Sequence, residues 1–99
     1  MNVRIGGCVN KQGLLELRDR ATIATAIRAA GGLRFDKEFF ATGIVSVRRK
    51  RKRDGKYYCR RRLNLVRHPE KALTFPLRES DAIVIQFGIR RAEGLASSS

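Results

Sequence analysis

Acidic side chains are scarce in this chain: nine Asp and Glu stand against 22 Lys and Arg, for a formal charge of +13. That excess predicts attraction to phosphate, sulfate or carboxylate polymers and is silent about fold. Cysteine occurs only twice, at Cys8 and Cys59, fifty-one positions apart and without a Cys-x-x-Cys pair. With a single histidine in the chain, this spacing suggests neither a zinc site nor a disulfide framework, and two buried free thiols are expected. No apolar run approaches the roughly eighteen residues of a membrane span, and the N-terminus lacks a signal-peptide core. The sequence as written therefore reads as soluble, with no direct membrane insertion and no export signal.

Signals for catalysis are equally sparse. His68, beside Pro69, reads as an exposed turn residue rather than a base, and no two carboxylates stand at a spacing that would couple an acid to a base. Gly31-Gly32 is not followed by Gly-Lys-Ser or Gly-Lys-Thr, so it is no phosphate loop. The chain ends in Ser97-Ser98-Ser99, without the Gly-Gly of a conjugated ubiquitin-like protein. The expectation is a protein that is not an enzyme and that holds no metal or cofactor.

What is present is a concentration of charge. Residues 48–62 hold ten bases against one acid, Asp54, a local charge of +9 out of the total +13. The apolar content of 42% is too high for a disordered basic tail. Ninety-nine residues make one domain, able to bury roughly 60–65% of its unfolded surface. The charge is thus carried on a folded platform.

Val3, Ile5, Cys8 and Val9 predict a first strand, and Leu14, Leu15 and Leu17 a second, around a turn ending at Gly13. Gly6-Gly7 inside the first strand predicts a bulge or a close backbone approach. Thr22 reads as a helix N-cap, with Ile23, Ala26, Ile27 and Ala30 on one helical face and Gly31 as its stop. Phe35, Phe39 and Phe40 lie in an irregular stretch, as plugs beneath a loop.

Residues 44–52 and 56–65 then form a hairpin around Asp54-Gly55, the pair favoured in a two-residue type I′ turn. That register opposes Arg49 to Arg60 and Arg48 to Arg61, and like charges directly opposite destabilise a strand pair. The distal half should be a strained or mobile projecting arm, and the proximal half, with Val45, Val47, Leu63 and Leu65, part of the sheet. His68-Pro69-Glu70-Lys71 reads as a turn. Residues 82–87 suit a central strand covered on both faces, with Ile83 and Ile85 in the core. Asp81 is expected to accept backbone N–H bonds in the preceding turn. Residues 1–91 form the single domain, and 92–99 read as a disordered tail.

Three phrases carry a family likeness. Ile5-Gly6-Gly7-Cys8-Val9 with Gly13 and Leu17 resembles the opening of the soluble-ligand-binding β-grasp (SLBB) family. Thr22 through Gly32 is similar to that family's helix ending in Ala-Gly-Gly, and Leu77 through Ile85 to its L-x-x-G-D-x-I-x-V signature, with Ser80 in place of the usual Gly. The resemblance implies an α+β β-grasp, or ubiquitin-like, domain with a mixed sheet packed on one helix. It also implies a non-enzymatic module. Relatives occur in polysaccharide export proteins, where such domains pack into rings around a secreted glycan. Others occur in DNA-uptake competence proteins, cobalamin-binding proteins and a respiratory NADH dehydrogenase subunit. A place in the cell envelope or periplasm is implied in the same way.

The basic hairpin is not part of that pattern, so its role is read from its residues. Arg48, Arg49, Lys50, Arg51, Lys52, Arg53, Lys56, Arg60, Arg61 and Arg62 are the candidate polyanion contacts, with Tyr57 and Tyr58 available to stack on a base or sugar ring or to pack on neighbouring stems. The partner expected is an acidic polysaccharide, a nucleic acid or an acidic neighbouring subunit. A homo-oligomer joined through sheet edges is the structural alternative, and a charged arm that only guards a sheet edge is the plainest one.

Overall fold

In the computed structural model, residues 1–89 are described. Seven elements follow one another: β1 (Asn2–Gly7), β2 (Gly13–Glu16), α1 (Ile23–Ala29), β3 (Phe39–Lys50), β4 (Tyr57–Asn64), α2 (Pro69–Leu73) and β5 (Ala82–Ile89). The expected tail over 92–99 lies outside the described residues. The strands form one mixed sheet in the order β2-β1-β5-β3-β4, with β1 and β5 parallel and the other neighbours antiparallel. The protein is α+β, with two short helices where one was expected. No helix among the described residues is long and apolar enough to cross a membrane.

Alternation along the strands turns Val3, Ile5, Val45, Val47, Ile83 and Ile85 to one face, where they form a single buried cluster with Ile23, Ala26 and Ala30 of the α1 stripe. Each large aliphatic side chain so buried contributes about 1.5–3 kcal/mol. Leu63 joins them, while Ile27 and Leu65 lie at the cluster margin. Cys8 is buried as expected, but Cys59 is exposed, and both thiols are free. Thr22 precedes α1 in extended conformation, and its N–H donates to Thr25 Oγ1 at 3.3 Å. At the other end Gly31 N–H donates to the Arg28 carbonyl and Gly32 N–H to that of Ile27. This paired 5→2 and 6→1 pattern is a Schellman stop.

Gly7 explains its own presence. Its φ is +87°, and a Cβ there would lie 2.0 Å from the Ile85 carbonyl oxygen, whereas a Cβ on Gly6 would meet nothing within 4 Å. The close approach lets β1 run parallel to β5 at their shared end, where Gly7 pairs with Ile85.

Four expectations fail on local grounds. β3 starts at Phe39, inside the stretch read as irregular, because Asp36 Oδ1 accepts the N–H groups of Glu38 and Phe39 and turns the chain into the strand. These bonds hold the Asp36 carboxyl below its ordinary range. Phe35, expected as a plug, is 61% exposed. Residues 69–73 are helical, since Pro69 takes the first helical position, where its missing N–H costs nothing. β5 is central but covered on one face only: Ile83 and Ile85 are buried while Val84 is 40% exposed.

Replacing Gly7 with Ala should lower the unfolding free energy by more than about 2 kcal/mol, through left-handed backbone and overpacking together. Gly6→Ala should stay within about 0.5 kcal/mol. Urea denaturation of the two variants checks the contrast.

Candidate polyanion-binding site

The arm does not form the two-residue loop. A type I′ turn needs positive φ at both central residues, and of Asp54 and Gly55 only Gly55 has it, at +71°. Asp54 instead uses its side chain, Oδ1 accepting the Lys56 N–H at 2.9 Å. The loop spans four residues, 52–55, closed by Gly55 N–H to the Arg51 carbonyl and by Arg51 N–H to the Lys56 carbonyl.

This changes the register. Lys50 pairs with Tyr57, Arg49 with Tyr58 and Arg48 with Cys59; a bulge follows that leaves Arg60 unpaired and restores Val47 opposite Arg61 and Ser46 opposite Arg62. The expected Arg-to-Arg oppositions are absent, and each base within the paired strands faces an uncharged residue. Only at the loop mouth does Arg51 stand across from Lys56, and there Asp54 lies 3.9 Å from Arg51 Nη1. Opposed like charges are destabilising, and the longer loop with its bulge avoids them.

Nor is the root of the arm free. The β3–β5 register, with Arg48 opposite Ala82, brings Arg49 and Asp81 together on the α1 side of the sheet. Arg49 Nε donates to Asp81 Oδ1 at 3.0 Å and Nη2 to Oδ2 at 2.9 Å. Asp81 is fully buried, and the Arg49 side chain is 14% exposed. The bidentate bond holds the Arg49 guanidinium above its ordinary range, against the opposing effect of burial. Asp81 Oδ2 also accepts the Arg78 N–H at 2.9 Å, the turn bond expected of it. One carboxylate therefore ties the arm to the 78–81 turn. Tyr57 adds a second tie, its hydroxyl donating to the Ser80 carbonyl at 2.9 Å.

Among the twelve candidates, Arg49 is thus a structural residue and Tyr57 is engaged. Tyr58 carries the Arg51 guanidinium 5.3 Å above its ring, which realises the packing alternative for this tyrosine. Arg48, Lys50, Arg51, Lys52, Arg53, Lys56, Arg60, Arg61 and Arg62 are all exposed. Among the described residues, Arg49 and Arg51 are the arm bases with an acid within 4 Å. Arg78, outside the 48–62 segment, and Glu79 join residues 49–53 and Tyr58 around a cleft of about 590 Å³ between arm and turn. The recruitment of Arg78 depends on the β3–β5 register, which no local pattern signals. No group of three metal-ligating side chains forms among the described residues.

Comparisons of the chain with protein-family models, with curated proteins and with solved structures find no match in any of the three.

Removing one partner of a buried pair leaves the other charge uncompensated. Arg49→Ala should therefore lower stability by about 3–5 kcal/mol, while Arg48→Ala should change it by less than about 0.5 kcal/mol; thermal and urea unfolding measure both. Ser80 has φ +68°, a conformation that costs a non-glycine residue roughly 1–2 kcal/mol. Offset by about 0.5–1 kcal/mol of added chain entropy, Ser80→Gly should raise stability by up to about 1.5 kcal/mol in the same assay.

Proposed function

We propose that this chain is a non-enzymatic β-grasp module of SLBB type, of the kind found in polysaccharide export proteins of the cell envelope, and that it engages an acidic polymer through the 48–62 arm. The fold part of this reading is supported by the sheet order β2-β1-β5-β3-β4, the parallel β1–β5 pair and a helix between β2 and β3, together with the three sequence phrases. The binding part rests on one observation above all. Eight of the ten arm bases have no acid within 4 Å among the described residues, and all eight are exposed. Edge protection needs far less charge than this.

The anchored root supports the same reading. Bases on a pre-positioned ribbon lose less conformational freedom on binding than bases on a loose tail. Self-assembly through β4 is disfavoured, because Arg60, Arg61 and Arg62 lie on that edge strand and a second β4 would bring like charges together.

Nucleic acid is the second reading, favoured by the sheer density of charge. A two-stranded ribbon fits the major groove of a duplex and neutralises phosphates sequence-independently. With about six phosphate contacts, duplex affinity should fall with a log–log salt slope near −5.

The test is equilibrium binding of the purified chain to an acidic polysaccharide and to duplex DNA across a salt series, with each competing against the other. The quadruple variant Arg51→Ser, Arg53→Ser, Arg60→Ser, Arg61→Ser, which spares Arg49, should lose at least tenfold in affinity at about 0.15 M salt. Binding indifferent to both salt and the quadruple replacement would falsify the role of the arm. Preference for DNA in the competition selects the second reading.

A further inference from the structure

The cleft between the arm and the 78–81 turn divides the bases into two groups that the sequence merges. Residues 49–53 and Tyr58 line it from the arm, and Arg78 and Glu79 from the turn. Arg4, Arg48 and Arg62 belong to the other, uncovered face: Arg4 and Arg48 flank Ala82 across the sheet, and Arg62 pairs with Ser46 beside Val84. We propose that the cleft face alone seats the polymer, and that the ligand is a single-chain acidic glycan whose carboxylates are taken by Arg51, Arg53 and Arg78. This inference rests on the polyanion-binding reading above and adds to it the face, a residue outside the arm and the class of polymer.

Three observations carry it. Both walls are held by the same group, since Asp81 accepts from Arg49 on the arm and from the Arg78 N–H on the turn. The spacing of the walls therefore exists before any ligand arrives, which reduces the ordering cost of binding. The one acid in the lining, Glu79, is already engaged: both its carboxylate oxygens accept the Asn2 N–H, at 3.1 and 3.2 Å. Besides Lys50 and Lys52 the lining carries guanidinium groups, planar forks that match a carboxylate or a phosphate in bidentate fashion.

Size and surface chemistry select the polymer. The cleft, about 590 Å³ and open to solvent, has room for a short segment of a single chain. A duplex would instead receive the arm in its groove, about 12 Å wide, and would touch both faces of the ribbon. Single-stranded nucleic acid is held largely by bases stacked on aromatic faces, and here Arg51 covers the Tyr58 ring while the Tyr57 hydroxyl is tied to Ser80.

Two triple variants of equal charge test this: Arg51→Ser, Arg53→Ser, Arg78→Ser in the cleft, and Arg4→Ser, Arg48→Ser, Arg62→Ser on the uncovered face. All six side chains are exposed, and unfolding curves verify that both variants remain folded. The probes are tetragalacturonate, a dodecameric oligothymidylate and a 15-base-pair duplex, measured by calorimetry or fluorescence anisotropy at fixed salt. The expected result is a loss of tetragalacturonate affinity at least tenfold greater for the cleft triple than for the uncovered-face triple. Equal losses overturn the one-face assignment while leaving polyanion binding intact. Tighter binding of either nucleic acid overturns the glycan assignment, and a wild-type chain that binds none of the probes at low salt overturns both readings together.

Discussion

A carboxylate withdrawn from water must have its charge answered by protein groups, and at Asp81 the answer organises one whole end of the molecule. Arg49 meets it with two hydrogen bonds and the Arg78 N–H with a third. Because Arg49 lies on β3 and Arg78 in the turn before β5, the carboxylate joins the root of the basic arm to the start of the central strand. Such pairs add little net stability over apolar packing of the same shape, yet leaving either partner alone is costly. What the pair supplies is position. The way the arm presents its charge depends on it.

Charge repulsion then shapes the rest of the hairpin. A ribbon with ten bases in fifteen residues has few registers that keep like charges apart, and the simplest Asp-Gly turn would have opposed arginine to arginine. The four-residue loop and the bulge at Arg60 shift the pairing so that tyrosine, cysteine, valine and serine face the bases. Arg51 is the exception, and it is compensated locally by Asp54 and the Tyr58 ring. The arm is consequently a tied, shaped ribbon. Its anchoring is what turns a local excess of charge into two distinct surfaces, a cleft and an open face.

Much of the scaffold was legible in the chain. The helix over Thr22, Ile23, Ala26 and Ala30 with its glycine stop, the two opening strands and the apolar β5 run all obey short periodicities that side-chain burial enforces. Gly6-Gly7 was legible as a bulge or a close approach, and the pairing of Gly7 with Ile85 is what assigns the approach to Gly7. Phe35 and the start of β3 were not, because the Asp36 side-chain bonds that begin the strand leave no periodic trace. The coverage of β5 could not be read either: a run such as Ala82-Ile83-Val84-Ile85 fits one covered face or two. Cys59 shows the same limit, lying exposed on a strand that extends past the core.

The sequence by itself determined the helix and its stop, the core positions Val45, Val47, Ile83 and Ile85 and the confinement of charge to residues 48–62, because these follow from near-neighbour spacing. Only the tertiary structure decided which bases are free. Arg49 and Asp81 are 32 positions apart, and their meeting follows from the β3–β5 register. Turn chemistry and a bulge set the arm's own register, and Arg78 enters the cleft because Asp81 holds its backbone. The strand registers are what decide these meetings, and a shift of a single residue would send each side chain to the opposite face.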